Sequence, residues 1–160
     1  MDSFLLFKWL HIISSVALVG IGFGSAFYLY FTNRSRNMAA VAEVSRLVVR
    51  ADYWFTTPAI VIQPVTGVML ASAGGYSLTE TWLLITYTLF VLAGICWLPV
   101  VWLQIRMRDM ASEAVENNNE LPSIYWLYAK WWTILGMVAF PAMLAVFVLM
   151  VFRPTEIGGL

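Results

Sequence analysis

The sequence has a single histidine, His11, and it lies in a long apolar segment where an imidazole could bind iron. A neutral imidazole is the commonest metal ligand and a usual axial ligand of haem. Lys8 precedes it by one helical turn, where an ammonium group could meet haem propionates. Ser15 and Gly22 follow on the same helical face and are small enough to lie against a porphyrin. This spacing indicates a haem site with His11 as the iron ligand as one interpretation, although Leu18, on the same face, does not suit a flat porphyrin.

The second axial position has several candidates. It cannot be filled by another histidine of the same chain. Met69, Tyr87 and Met143 lie at similar depth on other segments, and each could pack in the protein core instead. A dimer that shares one haem between two copies of His11, or a five-coordinate iron, would also satisfy the pattern. The competing interpretation is that His11 only hydrogen-bonds a neighbouring helix, because ionisable groups inside membranes usually face the bundle interior.

The composition is that of an integral membrane protein. Hydrophobic residues make up 61% of the 160 positions, charged residues 11%, and the mean hydropathy is +0.80. Soluble domains carry roughly 25% charged residues. The net charge of zero argues against nucleic acid as a partner, since such a partner would require a basic face. The first apolar run continues to Phe31, whereas the apolar part of a signal peptide has roughly 7–15 residues, so we expect a permanent span.

Four apolar runs are long enough to cross a bilayer, which takes about 20 helical residues. Backbone hydrogen bonding in lipid then requires helices. The sequence therefore predicts an all-α fold, a polytopic membrane four-helix bundle, as a single transmembrane domain over residues 1–160. The four helices are predicted at about residues 4–31, 53–72, 82–103 and 125–152. Residues 38–50 read as an amphipathic helix or an extension of the second helix, and residues 106–117 as an extension of the third.

The arginines predict the orientation of the bundle. Cytoplasmic loops carry the excess of Lys and Arg. The first and third loops are flanked by six arginines, whereas the termini and the second loop hold only Lys8 and Arg153. Both termini are therefore expected on the outer, periplasmic side.

Several polar, small and aromatic residues are expected to serve structure. Gln63, between two prolines, is favoured as a hydrogen-bonding link between helices over a contact with a quinone. Gly20 and Gly24 have the spacing that lets helices approach closely. Asp52 is expected to pair at the surface with Arg50 or with the cluster at residues 106–109. An interfacial aromatic belt around the snorkelling Lys130 is expected from three tryptophans, Trp126, Trp131 and Trp132.

Four stretches carry a resemblance to a known family: "KWLHIISS", "ADYWFTTPAIVIQPVTG", "LAGICWLPVVWLQIRMRDMA" and "FPAMLAVFVLM". They span all four predicted helices. The chain resembles an uncharacterised family of small bacterial predicted integral membrane proteins, defined by a domain of unknown function. This resemblance implies a location in the bacterial inner membrane and does not imply an activity.

The opening pattern from Lys8 to Ile13, Lys-x-x-His-Ile-Ile, is also distantly similar to the HemJ family of membrane protoporphyrinogen oxidases and to CopD-like proteins. That resemblance implies a four-helix haem-b protein whose functional histidine corresponds to His11. HemJ proteins also carry a lysine after a Trp-Leu motif in the third helix. Here the third helix reads "TWLLIT", with Thr86 near that place, and a similar "WLYAK" puts Lys130 on the fourth helix instead.

Two hypotheses follow from these patterns. The first is a b-type haem redox protein that performs electron transfer or porphyrinogen oxidation with a quinone or another redox partner. The second is a non-catalytic accessory or assembly subunit of a larger membrane complex, in which His11 is structural. In both cases the protein sits in the lipid bilayer and is expected to form a homo-oligomer or to join a complex. A small-solute carrier is less favoured, because few ionisable groups lie in the spans.

Overall fold

The structure, a computed structural model, describes residues 3–154, and both chain termini, with their expected periplasmic location, lie outside this range. The described chain is helical throughout its regular elements, which confirms the predicted all-α membrane bundle. The helices are α1 (Ser3–Ser35), α2 (Met38–Ala51), α3 (Thr57–Ala73), α4 (Thr81–Glu116) and α5 (Ser123–Phe152). Four of the described helical rods are long and apolar enough to cross a membrane: α1, the continuous α2–α3 rod, α4 and α5.

A single π-helical turn, residues Asp52–Thr56, joins α2 to α3 without a break. In this turn the Thr57 amide donates to the Asp52 carbonyl, five residues back. Pro58 explains the wider turn, because it has no N–H to donate and its ring clashes with the carbonyl four residues earlier. The turn places Asp52 and Thr56 inside the bundle and residues 53–55 outside it. Such π turns in α-helices are frequent at functional sites.

Two of the rods are longer than the hydrocarbon core of a membrane is thick. The α2–α3 rod and α4 each have 36 residues, or about 54 Å at 1.5 Å per residue, against a hydrocarbon core of about 30 Å. We call the end with loops 36–37 and 117–122 the loop end, and the opposite end the terminal end. A buried core at the loop end ties α2 and α4 to α1 and α5; it comprises Leu29, Val41, Val48, Leu103, Met107, Ala111, Tyr125 and Trp132.

The bundle is built from two helix pairs, α1 with α3 and α4 with α5. At the terminal end, Ala71 of α3 packs with Trp82 and Leu83 of α4 and closes the space between the pairs. At the loop end, the core described above closes it again. The pairs therefore meet at both ends and leave a cavity between them.

The close approach between helices occurs at Gly67, not at the predicted glycines of α1. A Cβ atom at Gly67 would lie 3.3 Å from Cε1 of His11, so α3 packs directly on the imidazole. A Cβ at Gly20 or at Gly24 would meet no atom within 4 Å in the described part of the chain. Within the described chain these two glycines therefore do not provide the predicted close approach between helices.

Candidate functional site

The imidazole of His11 is held between α1 and α3 by one side-chain hydrogen bond. Nδ1 of His11 lies 2.9 Å from Oγ1 of Thr66. The Thr66 hydroxyl donates to the carbonyl of Ile62 at 2.7 Å. With the Thr66 hydrogen directed at Ile62, Thr66 accepts from Nδ1–H, since a hydroxyl has one hydrogen. In that arrangement the lone pair on Nε2 takes no part in this contact.

Gln63 joins the same two helices one turn along α3. Its Nε2 donates to the carbonyl of His11 at 2.7 Å and to Oγ of Ser14 at 2.9 Å. The side chain is buried, with 8% of its surface exposed. The prediction that Gln63 links helices is confirmed. We call His11, Ser14, Gln63 and Thr66 together the histidine cluster.

Two other predicted haem contacts lie on α1 near the histidine cluster. Lys8 is exposed one turn before His11. Ser15 is half-buried, and its hydroxyl donates to the carbonyl of Ile12 at 2.8 Å. The exposure of Lys8 agrees with an ammonium group at the membrane surface, and Ser15 is a small side chain on the helix face.

The candidates for a second axial ligand lie in three different surroundings. Met69 is 41% exposed on α3. Tyr87 packs against the terminal-end cluster of α3 and α4, and its hydroxyl is buried without a hydrogen-bond partner in residues 3–154. Met143, together with Gly22, lines the cavity between the helix pairs, and the lining of that cavity does not include His11.

The space between the helix pairs is a cavity of about 510 Å³, which we call the bundle cavity. Its walls come from all four rods and are mostly apolar, with Leu18, Ile60, Phe90 and Pro141 among them. On the side between α1 and α5 the lining residues Phe23, Phe27 and Met137 are 54%, 50% and 70% exposed. The bundle cavity therefore opens sideways toward lipid, where an apolar molecule could enter from the membrane.

The bundle cavity has a polar wall at the π turn. Thr56 Oγ1 donates to the Asp52 carboxyl group at 2.8 Å, and Gln104 of α4 lies within hydrogen-bonding reach of the same group. Asp52 is only 6% exposed and Gln104 4%. Residues with a carboxyl group, a hydroxyl and an amide thus line an otherwise apolar space, which is the usual plan of a small-molecule site.

The expected surface pairing of Asp52 is wrong. Within residues 3–154 the ion pairs are Arg46–Glu43 and Arg108–Asp109, and Asp52 belongs to neither. Arg50 is exposed on the other face of the rod. The reason is the π turn, which directs the Asp52 carboxyl group into the bundle.

Three polar atoms in the wall of the bundle cavity have no hydrogen-bond partner in the described chain. They are Oε1 of Gln104, Nε1 of Trp97 and Nε1 of Trp132. Leaving such a buried group unsatisfied costs about 1–3 kcal/mol. The two indoles offer N–H donors, and the amide oxygen offers an acceptor.

Sequence reasoning missed Trp97 and Gln104 and misplaced Trp132. The last was expected in the interfacial belt, yet it is 5% exposed in the loop-end core. The one feature of the sequence that could have indicated this site was Gln104, an amide between the apolar and charged parts of α4.

The structure was also searched for metal sites. No group of three or more His, Cys, Asp or Glu side chains that could hold an ion occurs among residues 3–154.

Comparison with known proteins gives one match. Residues 5–154 match the sequence profile of a family described as "Predicted integral membrane protein (DUF2269)". Searches of curated proteins and of solved structures give no match.

Proposed function

The chain belongs to the DUF2269 family of predicted integral membrane proteins, and from this premise we propose that it binds a lipophilic, carbonyl-bearing molecule in the bundle cavity. The ligand class is that of a quinone: a flat apolar ring with carbonyl acceptors, reduced to hydroxyl donors. A quinone enters from the bilayer, and the cavity opens toward the bilayer between α1 and α5.

The observation that carries this proposal is the coincidence of unpartnered polar atoms with an apolar cavity. Buried indole N–H groups normally find a partner. Trp97, Trp132 and Gln104 all line the bundle cavity, and their Nε1 and Oε1 atoms are buried without a partner in the described chain. A carbonyl oxygen would accept from an indole, and a quinol hydroxyl would donate to Gln104. Asp52 adds a carboxyl group that could exchange the proton of such a hydroxyl.

A glycine pair on α1 gives a matched test. A Cβ at Gly22 or at Gly20 would meet no atom within 4 Å, so both positions accept a larger side chain. Gly22 lines the bundle cavity, whereas Gly20 is exposed outside it. Gly22→Leu therefore adds a leucine side chain that fills the cavity. Gly20→Leu adds the same side chain to the same helix, but on its lipid-facing side.

The assay is tryptophan fluorescence in nanodiscs, titrated with a short-tailed benzoquinone. Wild type and Gly20→Leu should show saturable quenching, because Trp97 and Trp132 lie at the site. Gly22→Leu should bind about tenfold more weakly or worse, since overpacking costs about 1–3 kcal/mol. Linear quenching in the wild type, or equal affinities in the two variants, would refute the proposal.

A second candidate function, a b-type haem protein, is favoured by the contact between His11 and Thr66. A ligating histidine almost always donates its other ring N–H to a fixed acceptor. The Thr66 hydroxyl oxygen lies 2.9 Å from Nδ1 and could be such an acceptor, in which case Nε2 would have the lone pair that iron needs. In this proposal His11 would hold the iron and Lys8 would approach the propionates. A haem there would supply one-electron chemistry, in electron transfer or porphyrinogen oxidation.

Absorption spectra of the protein from haem-replete cells test this candidate. A Soret band that shifts on reduction and disappears in His11→Ala would support it. Thr66→Val should keep the band with weaker haem retention, since only the orienting hydrogen bond is lost. A colourless, folded preparation would favour the alternative, an accessory or assembly subunit in which His11 only joins α1 to α3.

The same proposal includes the location of the protein. The charge pattern supports a bacterial inner-membrane protein with the loop end in the cytoplasm and the termini in the periplasm. A homo-oligomer, or membership of a larger complex, stays a prediction to be measured as particle mass in nanodiscs.

A further inference from the structure

A second pocket, separate from the polar wall of the bundle cavity, lies at the loop end between α1 and α5. It has a volume of about 280 Å³, and we call it the basic pocket. Its charged lining residues are Arg34 and Arg36 at the end of α1 and Lys130 on α5. The lining, which lies wholly within the described chain, contains no carboxylate. Three positive charges thus converge on one concave surface.

The two arginines are oriented by aromatic rings. The guanidinium carbon of Arg36 lies 4.0 Å from the ring centroid of Trp126. Nη1 of Arg34 donates to the hydroxyl of Tyr30 at 3.4 Å. Arg34 and Arg36 belong to neither ion pair of residues 3–154, so no carboxylate neutralises them there.

Asn33 supplies a buried polar group in the same pocket. Its side chain is 7% exposed, and its Oδ1 accepts from the hydroxyl of Tyr125 at 2.7 Å. With the oxygen engaged, the amide group offers its N–H donors. Amide donors beside several cations are the groups that bind a phosphate.

The surroundings indicate an occupant that also has an apolar part. Tyr30 and Thr133 line both the basic pocket and the loop-end side of the bundle cavity. One turn deeper on α1, the rings of Phe27 and Phe31 are 50% and 53% exposed to the membrane. A phosphate in the basic pocket would therefore be continuous with acyl chains lying along these rings.

From these contacts we infer that the basic pocket binds the headgroup of an anionic phospholipid. Arg34, Arg36 and Lys130 contact the phosphate, Asn33 donates to it, and the acyl chains lie against the exposed rings of α1. Basic pockets between transmembrane helices at the cytoplasmic side bind such headgroups. This site goes beyond the quinone and haem proposals and does not depend on either.

The test uses native mass spectrometry of the full chain in neutral detergent. The protein is given equal amounts of phosphatidylglycerol and phosphatidylcholine with identical acyl chains, and the retained lipids are counted. The pocket variant is Arg34→Gln with Lys130→Gln. The control is Arg50→Gln with Arg106→Gln, which removes the same charge from exposed positions at the same end. The control also matches the aromatic contact, because the guanidinium carbons of Arg34 and Arg106 each lie 5.9 Å from an aromatic ring centroid.

The wild type should retain more phosphatidylglycerol than phosphatidylcholine. In the pocket variant this ratio should fall about thirtyfold, at about fivefold for each cation removed. The control should stay within about threefold of the wild type, because Arg50 and Arg106 do not line the basic pocket. Arg34→Lys should keep most of the preference, which separates lost charge from misfolding.

Three results would overturn the inference. The first is a wild type that retains both lipids equally. The second is a control that loses as much as the pocket variant. The third is displacement of phosphatidylglycerol by inorganic phosphate at similar concentration, which would identify a site for free phosphate instead of a lipid.

Discussion

Replacing Gln63 by Met should weaken the contact between α1 and α3. It should lower the free energy of unfolding by more than a lipid-facing substitution of similar size does. Met keeps most of the volume of Gln63 but cannot donate the hydrogen bonds to the His11 carbonyl and to Ser14 Oγ. The partners left behind remain satisfied, because Ser14 still donates to the Leu10 carbonyl. The loss is therefore that of the two interhelical bonds themselves.

The expected magnitude is about 1–3 kcal/mol in the free energy of unfolding. Interhelical hydrogen bonds in membranes average about 0.6 kcal/mol each and reach about 1.7 kcal/mol. The short donor–acceptor distances of 2.7 and 2.9 Å, in a side chain only 8% exposed, favour the upper half of that range. In a double-mutant cycle with Ser14→Ala, about half of the effect should appear as coupling.

The assay is unfolding of the protein in mixed micelles with increasing dodecyl sulfate, followed by tryptophan fluorescence. Thr88→Val is the control, since the exposed Thr88 hydroxyl bonds only the Leu84 carbonyl of its own helix. Its effect should stay below about 0.5 kcal/mol. A Gln63→Met protein as stable as this control would show that apolar packing alone joins α1 to α3, and the reasoning would be wrong.

Three further predictions concern other parts of the bundle. Gly67→Ala should lower the unfolding free energy by about 1–3 kcal/mol because its Cβ would press on the imidazole at 3.3 Å, whereas Gly24→Ala, with open space around it, should be neutral or slightly stabilising in the same titration. Tyr125→Phe should cost about 1–3 kcal/mol, because Asn33 loses its buried donor at 2.7 Å; a thermal unfolding midpoint equal to that of the wild type would contradict this. A cysteine placed at the exposed Ser77 should react with a membrane-impermeant maleimide added to intact cells, and labelling only after lysis would reverse the expected sidedness.

The helices could be predicted from sequence because lipid imposes their length and hydropathy. The amphipathic pattern of α2 was also readable: Val41, Ser45 and Val48 recur on one face and are the buried residues of that helix. Arg46 and Glu43 on the opposite side form an ion pair. Because one side of this segment meets water, its polar residues lie on that side, and the sequence therefore shows which face is buried.

The sites could not be predicted to the same extent, because the spans are apolar on all sides. Where lipid is as apolar as the core, hydropathy does not show which face of a helix meets its neighbour. His11 and Thr66 were both recognisable as polar residues, but their pairing depends on the rotation of α3 about its axis. The same holds for Trp97, Gln104 and Trp132, which come together from α4 and α5 only after packing.

The π turn between α2 and α3 should let the rod tolerate the deletion of one residue. A π turn contains one residue more than an α-helical turn, so shortening it by one should leave an α-helical turn, bent at Pro58, with the two halves in the same rotation about the helix axis. Removing Trp54 should therefore leave Val48 directed at α4 and Gln63 directed at α1. Removing Val61, equally exposed but beyond the π turn, would turn the rest of α3 by about 100° and carry Gln63 away from Ser14.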